Sequence, residues 1–129
     1  MKQITKRLKD AEDLREGIEA LVREHSINAG TIVSCVGSLS RAHVRMPRAQ
    51  THLTWNEALE IVSVTGTVSK TGIHIHISFS DIDGKVFGGH LSKGCIVRNT
   101  TEIILLSFED TVYSREPDRD TGFDELVVK

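Results

Sequence analysis

The sequence lacks several features that would place it in a specialised class of protein. No stretch approaches the roughly 18 consecutive apolar residues of a membrane span, and the first ten residues, MKQITKRLKD, lack the apolar core of a signal peptide. Basic residues are not in excess, since 16 Lys and Arg stand against 18 Asp and Glu, which argues against non-specific binding of nucleic acid. There is also no internal repeat and no low-complexity segment. We therefore expect a single cytoplasmic domain over residues 1–129.

Cysteine is scarce as well. The only two, Cys35 and Cys95, each lie in a short apolar run, TIVSCV and GCIV. Buried free thiols are common in such runs, whereas disulfides are rare in a reducing compartment. The sequence predicts that both cysteines are unpaired core residues.

The hydrophobic pattern predicts one helix followed by many strands. Near the N-terminus, apolar residues recur at helical spacing at Leu14, Ile18, Leu21 and Val22. We predict Asp10 as the residue that caps this helix and Gly30 as a residue just beyond its end. The β-branched and alternating runs that follow predict strands near 31–37, 40–46, 59–69, 72–80, 85–91 and 95–108, with an edge strand near 123–127.

The segment from Gly72 to Leu91 predicts a hairpin. In GIHIHISFS the isoleucines and Phe79 alternate with polar residues, so one face of the strand belongs to the core. A three-residue loop, with Gly84 in the left-handed conformation, would set Asp81 opposite Lys85. That register pairs three sets of residues: His76 with His90, Phe79 with Phe87, and Ile75 with Leu91.

The same register brings three histidines to one face of the sheet. The imidazoles of His74, His76 and His90 can converge on one metal ion and leave a fourth position open. Zinc fits such a site, and imidazole also suits nickel, copper or iron. Alternatively, the histidines form a polar sheet face or a subunit contact. Gly88 and Gly89, beside His90, would let another backbone or a ligand approach the strand closely.

A second polar pattern lies in the segment RAHVR. Arg41, His43 and Arg45 alternate on one strand face and can reach an anionic ligand or the phosphates of a nucleic acid. The alternative is a solvated or interface face. His43 and His52 are candidates for supplementary metal ligands, but neither lies on the strand pair that carries the other three histidines.

The motif G-x-H-x-H is followed along the chain by D-G-x-V-x-G-G-H-L. This pair of motifs resembles those of the plants and prokaryotes conserved (PPC) domain family. They correspond to Gly72–His76 and Asp83–Leu91. The resemblance also rests on Glu60–Ser63, Gly66–Ser69 and Glu102–Ile104, and it extends from the helix to Leu126.

The resemblance implies an α+β fold in which a mostly antiparallel β-sheet packs on the N-terminal helix, and a homotrimer as the usual assembly. It also implies a metal, commonly zinc, on His74, His76 and His90. In plant members the domain follows AT-hook segments of nuclear DNA-binding proteins and contacts other protein factors. This sequence has no R-G-R-P run of an AT-hook, which argues against a DNA-binding role.

Two function classes follow. The first is a non-enzymatic, homotrimeric metal-binding module with a regulatory or DNA-associated role and a protein partner. It is favoured because no paired nucleophile and base is evident. The second is a small metal-dependent enzyme or small-molecule sensor, in which the open metal position holds a water or a ligand. An enzyme needs a general base beside the metal, and Glu60, Asp81 and Glu102 are the candidates near the relevant strands.

The homotrimer also has support from the residues themselves. Val86 falls on the histidine side of its strand, and Ile103 to Leu106 form a continuous apolar run. Such runs are typical of strands that are buried on both faces. One helix cannot cover that much apolar surface, so a partner subunit is the expected cover.

Overall fold

A computed structural model describes all 129 residues as nine strands, one α-helix and one short 3-10 helix. The elements in chain order are β1 Lys2–Lys9, α1 Leu14–Glu24, β2 Gly30–Arg45, the 3-10 helix Pro47–Ala49, β3 His52–Trp55, β4 Leu59–Ser69, β5 Gly72–Ser80, β6 Val86–Leu91, β7 Ile96–Ser107, β8 Tyr113–Pro117 and β9 Asp124–Val128.

Seven of the strands form one antiparallel sheet. Its order is β1-β7-β2-β4-β5-β6, and β3 pairs with the end of β2. The same end of β2 also pairs with β6, at Val44–Leu91 and Arg45–His90, so that β2, β4, β5 and β6 close into a ring. The fold is therefore α+β with a mostly antiparallel sheet, as expected. The ring matters for the site because it sets the last residue of β2 directly beside β6.

The apolar stripe of α1 joins the sheet in a single core. Leu14 and Ile18 are fully buried, and Leu21 and Val22 nearly so. They belong to the same cluster as buried residues of the sheet such as Phe79. Burial of this stripe stabilises the helix, which at 11 residues is too short to be stable alone in water.

The predicted start of the helix is wrong by one turn. Asp13, not Asp10, is the capping residue: its Oδ1 accepts a hydrogen bond from the backbone N–H of Glu16 at 2.9 Å. Asp10 instead accepts from the backbone N–H of Asn99 at 2.9 Å. The chain before Asp13 is thus tied to β7, which delays the helix. The helix ends at Glu24, and Gly30 begins β2 rather than following the helix directly.

The strands near 59–69, 72–80, 85–91 and 95–108 lie where they are predicted, within one residue at each end. The predicted strands 31–37 and 40–46 are one long strand, β2, with shifts of register against β7 on both sides of Leu39. Gly37 makes this continuity possible, because a Cβ atom there would lie 2.3 Å from the carbonyl oxygen of Thr100. The C-terminal strand β9 exists, but it pairs with β8 in a separate two-stranded sheet and not with the edge of the main sheet.

Both cysteines are free and buried, as predicted. Burial raises the pKa of the Cys35 thiol to about 12 and that of Cys95 to about 11. Thiols with such values carry almost no thiolate at neutral pH and are therefore unreactive. None of the helices has the length and apolar character needed to cross a membrane.

Candidate metal centre

The hairpin of β5 and β6 has the predicted register. His76 lies opposite His90, and Phe79 lies opposite Phe87. The third predicted pair, Ile75 with Leu91, does not form: the ladder ends at His76, and Leu91 pairs instead with Val44. The reason is that β6 joins β2 at this point.

A tight turn fixes that register. The backbone N–H of Asp81 donates to the carbonyl of Lys85 at 2.9 Å, and Gly84 takes a positive φ of 81°. The Asp81 carboxylate accepts from two backbone N–H groups of the turn, those of Asp83 and Lys85, both at 2.9 Å. Asp81 therefore stabilises the turn, which lies at the end of β5 away from His74 and His76.

Three imidazole rings converge on the outer face of this hairpin. The ring centroids are 5.0 Å apart for His74 and His76, 5.2 Å for His74 and His90, and 5.7 Å for His76 and His90. One nitrogen of each ring lies within 4.8 Å of the others. The nitrogens that bind one tetrahedral zinc ion lie about 3.3 Å apart. Ring rotations that move each nitrogen by about 1 Å would bring the three nitrogens to that spacing. The donor set fits a transition metal with an open fourth position.

Gly88 and Gly89 let β6 lie close to both of its neighbours. A Cβ atom at Gly88 would lie 2.3 Å from the carbonyl oxygen of Ile77 in β5, and one at Gly89 would lie 2.8 Å from that of Arg45 in β2. The predicted close approach of another backbone is therefore confirmed, and it occurs on both sides. It places His90 between β5 and β2.

Arg45 lies beside His90 as its partner in the β2–β6 pairing. An Nη atom of Arg45 is 3.4 Å from Nδ1 of His90. Burial lowers the pKa of His90 to about 4, and the Arg45 guanidinium and the neighbouring histidines add to this effect. The pKa of His74 is also lowered, first by burial and then by His76 and Arg115. A lower pKa favours the neutral ring, which is the form that binds a metal.

Arg41, the other arginine predicted as an anion contact, lies elsewhere. It is next to Gly94, and it does not line the cavities beside the histidines. The predicted supplementary ligands are also apart from the cluster: His43 stacks on His52 at 5.0 Å and contacts the Thr54 hydroxyl at 2.8 Å. The structure brings Arg45 alone of this group to the histidines.

Residues of the β8–β9 hairpin also reach the site, although nothing in the sequence predicts them there. Arg115 donates to the Thr67 hydroxyl at 2.7 Å, and with Glu125 and Phe123 it lines a cavity of about 330 Å³ that also contains His74 and His90. The segment has a polar pattern without clear periodicity, so only the tertiary structure shows where it packs.

The carboxylates predicted as general bases do not reach the histidines. Glu60 pairs with Ser80 near the far end of β5, and Glu102 is exposed on β7 beside Val36. Among acidic side chains, Glu125 has the clearest effect on the cluster, because its charge opposes the lowering of the pKa of His74.

A larger cavity of about 700 Å³ opens beside His76 and His90. Its wall also contains Arg45, the segment from Met46 to Ala49 and Phe123. A volume of this size holds a small organic molecule. A metal on the three histidines would therefore face a space in which a ligand can reach its open position.

The effect of Arg45 on His90 can be measured directly. We expect Arg45→Gln to raise the pKa of His90 in the metal-free protein, because a positive charge near the ring opposes its protonation. Titration of the imidazole protons by NMR gives this value. A control, Arg41→Gln, is expected to leave it unchanged. If the two variants titrate alike, Arg45 does not act on His90.

Comparison with known proteins supports the resemblance found in the sequence. Residues 1–109 match the Plants and Prokaryotes Conserved (PCC) domain. Two curated proteins, both called bifunctional protein GlmU and both from Synechococcus, are 36% and 37% identical over 123 residues. The match covers 95% of this chain but only 20% of either relative. The chain thus spans about a fifth of the length of these relatives.

Solved structures show the same fold. A hypothetical protein of Salmonella enterica is 30% identical with a TM-score of 0.96, over 99% of this chain and 93% of that one. A metal-containing protein of Archaeoglobus fulgidus is 28% identical with a TM-score of 0.80, over 98% and 94% of the two chains. A candidate DNA-binding protein of Bacteroides thetaiotaomicron is 21% identical with a TM-score of 0.87, over 97% and 91%, and this likeness shows the fold alone.

The domain match covers most of the chain, and it includes the hairpin with the three histidines. The arrangement of the sheet agrees with that of the solved structures over nearly the whole chain. The chain belongs to the Plants and Prokaryotes Conserved domain family.

Proposed function

We propose that the protein is a metal-binding domain whose centre consists of His74, His76 and His90, with zinc as the metal. The convergence of the three rings on one sheet face carries this proposal. Two further observations support it. Burial lowers the pKa of both His74 and His90, which favours the neutral form that binds a metal, and the Archaeoglobus relative is a metal-containing protein.

X-ray absorption of the zinc-loaded protein tests the ligand set. We expect about three imidazole nitrogens at 2.0–2.1 Å and one further light atom, because three histidines leave one tetrahedral position open. His25→Ala is a suitable control, since His25 is exposed at the end of α1. A spectrum with sulfur ligands, or with a single imidazole, would contradict the proposal.

We further propose that the domain is a homotrimer. Three exposed valines support a subunit contact: Val33, Val36 and Val62 are 54%, 60% and 55% exposed. Val33 and Val36 lie on β2, and Val62 lies on β4, which pairs with β2. In the single chain, Ile104 and Leu106 are only partly buried, while Ile103 and Leu105 are fully buried. A partner subunit would cover this outer face.

Light scattering tests the assembly. We expect the mass of three chains at micromolar concentration, against 14.3 kDa for one chain. Val62→Lys is expected to shift the mass toward the monomer, because a charge would be buried in the contact. Ile82→Lys is the matched control, since Ile82 is 93% exposed at the hairpin turn. A wild-type protein that remains monomeric would exclude the homotrimer.

A second candidate function is a small-molecule sensor that uses the open metal position. The cavity of about 700 Å³ beside His76 and His90 favours it, since a purely structural metal needs no such space. A hydrolytic enzyme is less well supported, because the predicted bases Glu60, Asp81 and Glu102 are all placed away from the histidines. Turnover by the zinc-loaded protein that is lost in Glu125→Gln would favour the enzyme.

Binding to DNA has weaker support. The net charge is −2, and Arg45 borders the cavity beside the histidines. We expect any complex with DNA to dissociate as salt rises through the physiological range, which a gel-shift titration would measure.

A protein partner remains compatible with the exposed valines. The two free, buried thiols suit a reducing compartment such as the cytoplasm.

A further inference from the structure

We infer that the larger cavity is a binding site for a small organic anion, with a carboxylate head that lies on Arg45 and an apolar body. The inference rests on the proposed function, because one carboxylate oxygen takes the open position of the metal. It adds the chemical class of the ligand to that function.

The first observation is the state of the Arg45 guanidinium. Its Nε is buried and has no hydrogen-bond partner, and no carboxylate of the chain lies within 4.0 Å of it. Its contact with His90, at 3.4 Å, joins it to an imidazole and not to an acid. A buried donor without an acceptor destabilises the protein. Arg45 lines both cavities, and a carboxylate there matches the forked N–H groups of arginine and supplies an acceptor that the chain does not.

The second observation is the charge around the histidines. Arg115 is a second guanidinium near the cluster, and the Thr67 hydroxyl holds it in place. It lines the smaller cavity, which shares Arg45, His90 and Phe123 with the larger one. Arg15 also acts on His90 and Arg48 lines the larger cavity, whereas Glu125 is the one acidic residue whose charge acts on the rings. The site therefore favours an anion over a neutral or cationic ligand.

The third observation separates a carboxylate from a phosphate. Met46, Pro47, Ala49 and Phe123 contribute apolar side chains to the lining of the larger cavity. Arg45 and His76 contribute polar groups to it beside His90, with which both are paired. An inorganic phosphate has no apolar part to bury against those apolar side chains. A carboxylate with an apolar body uses both, so its affinity rises with the apolar area that it buries.

Calorimetry with the zinc-loaded protein tests the inference. The probes are acetate, butanoate and phenylacetate, with phenylacetamide as the uncharged counterpart and inorganic phosphate as the competing anion. We expect affinity to rise from acetate to phenylacetate and phenylacetamide not to bind. Arg45→Gln is expected to weaken phenylacetate binding roughly ten-fold or more, because a charged hydrogen-bond donor is lost. Arg41→Gln, on the same strand but outside the cavity, should leave it unchanged.

Metal content, measured in the same samples, separates the two proposals. If zinc is bound and phenylacetate does not bind, the inference is overturned and the metal centre stands. The same holds if Arg45→Gln binds phenylacetate as well as Arg41→Gln, or if phosphate binds more tightly. If zinc does not bind, the proposed function fails, and the inference fails with it. Cobalt in place of zinc adds a direct readout: a carboxylate at the open position should change the visible spectrum in the wild-type protein.

Discussion

Replacement of His90 by alanine is expected to lower the affinity for zinc more than about 100-fold. Loss of a group that merely orients a ligand costs 10–100-fold, and His90 is itself a proposed ligand. The ring comes from a different strand than His74 and His76, so its loss leaves only two adjacent histidines of β5. Competition with a coloured chelator at pH 7 measures the change.

Two controls make this result specific. His25→Ala should bind zinc as the wild type does, because His25 is remote from the cluster. Zinc should also raise the melting temperature of the wild type but not of His90→Ala, since only a ligand that binds the folded state stabilises it. An unchanged affinity in His90→Ala would show that the three rings do not form the metal site.

Replacement of Phe79 by alanine is expected to cost about 3–5 kcal/mol of unfolding free energy. Phe79 is the largest fully buried side chain, and it packs edge-on against Trp55 with 5.1 Å between ring centroids. Trp55 also lies 5.2 Å from Phe87, the cross-strand neighbour of Phe79. The change therefore leaves a cavity beside Trp55, and a loss of that size is a large part of a typical domain's stability.

Urea denaturation at a fixed protein concentration measures this loss. Trp55 is the single tryptophan, so its fluorescence reports on the aromatic group directly. Ile82→Ala is the control, because Ile82 lies only three residues away but is 93% exposed, and we expect a change within about 0.5 kcal/mol. A loss below about 1 kcal/mol for Phe79→Ala would contradict the described packing.

The sequence predicts the part of the fold whose signals are local. In β5 the apolar residues alternate strictly, and the turn at Gly84 sets the register, so His76 and His90 could be paired in advance. β1 has no such signal: of its eight residues only Ile4 and Leu8 are buried, and a spacing of four fits a helix as well as a strand. It is held by its pairing with β7, which is distant in sequence.

In the candidate site, too, local patterns predict some residues, whereas others are placed by contacts between distant segments. The three histidines follow from one hairpin, whereas Arg115 and Glu125 reach the site through the packing of β8 and β9 against the sheet. The alternation with Arg41 predicts Arg45 as an anion contact. Its place beside His90 depends on the second pairing of β2, with β6, and no local pattern encodes that pairing.

The metal content of the tag-free protein, measured by mass spectrometry, is the most direct test of the three-histidine site. The wild type, His76→Ala and His90→Ala should be purified in the same way. We expect about one metal ion per wild-type chain and none in either variant. A metal-free wild-type protein that stays metal-free after incubation with zinc would contradict it, and the histidines would then be a polar face of the sheet.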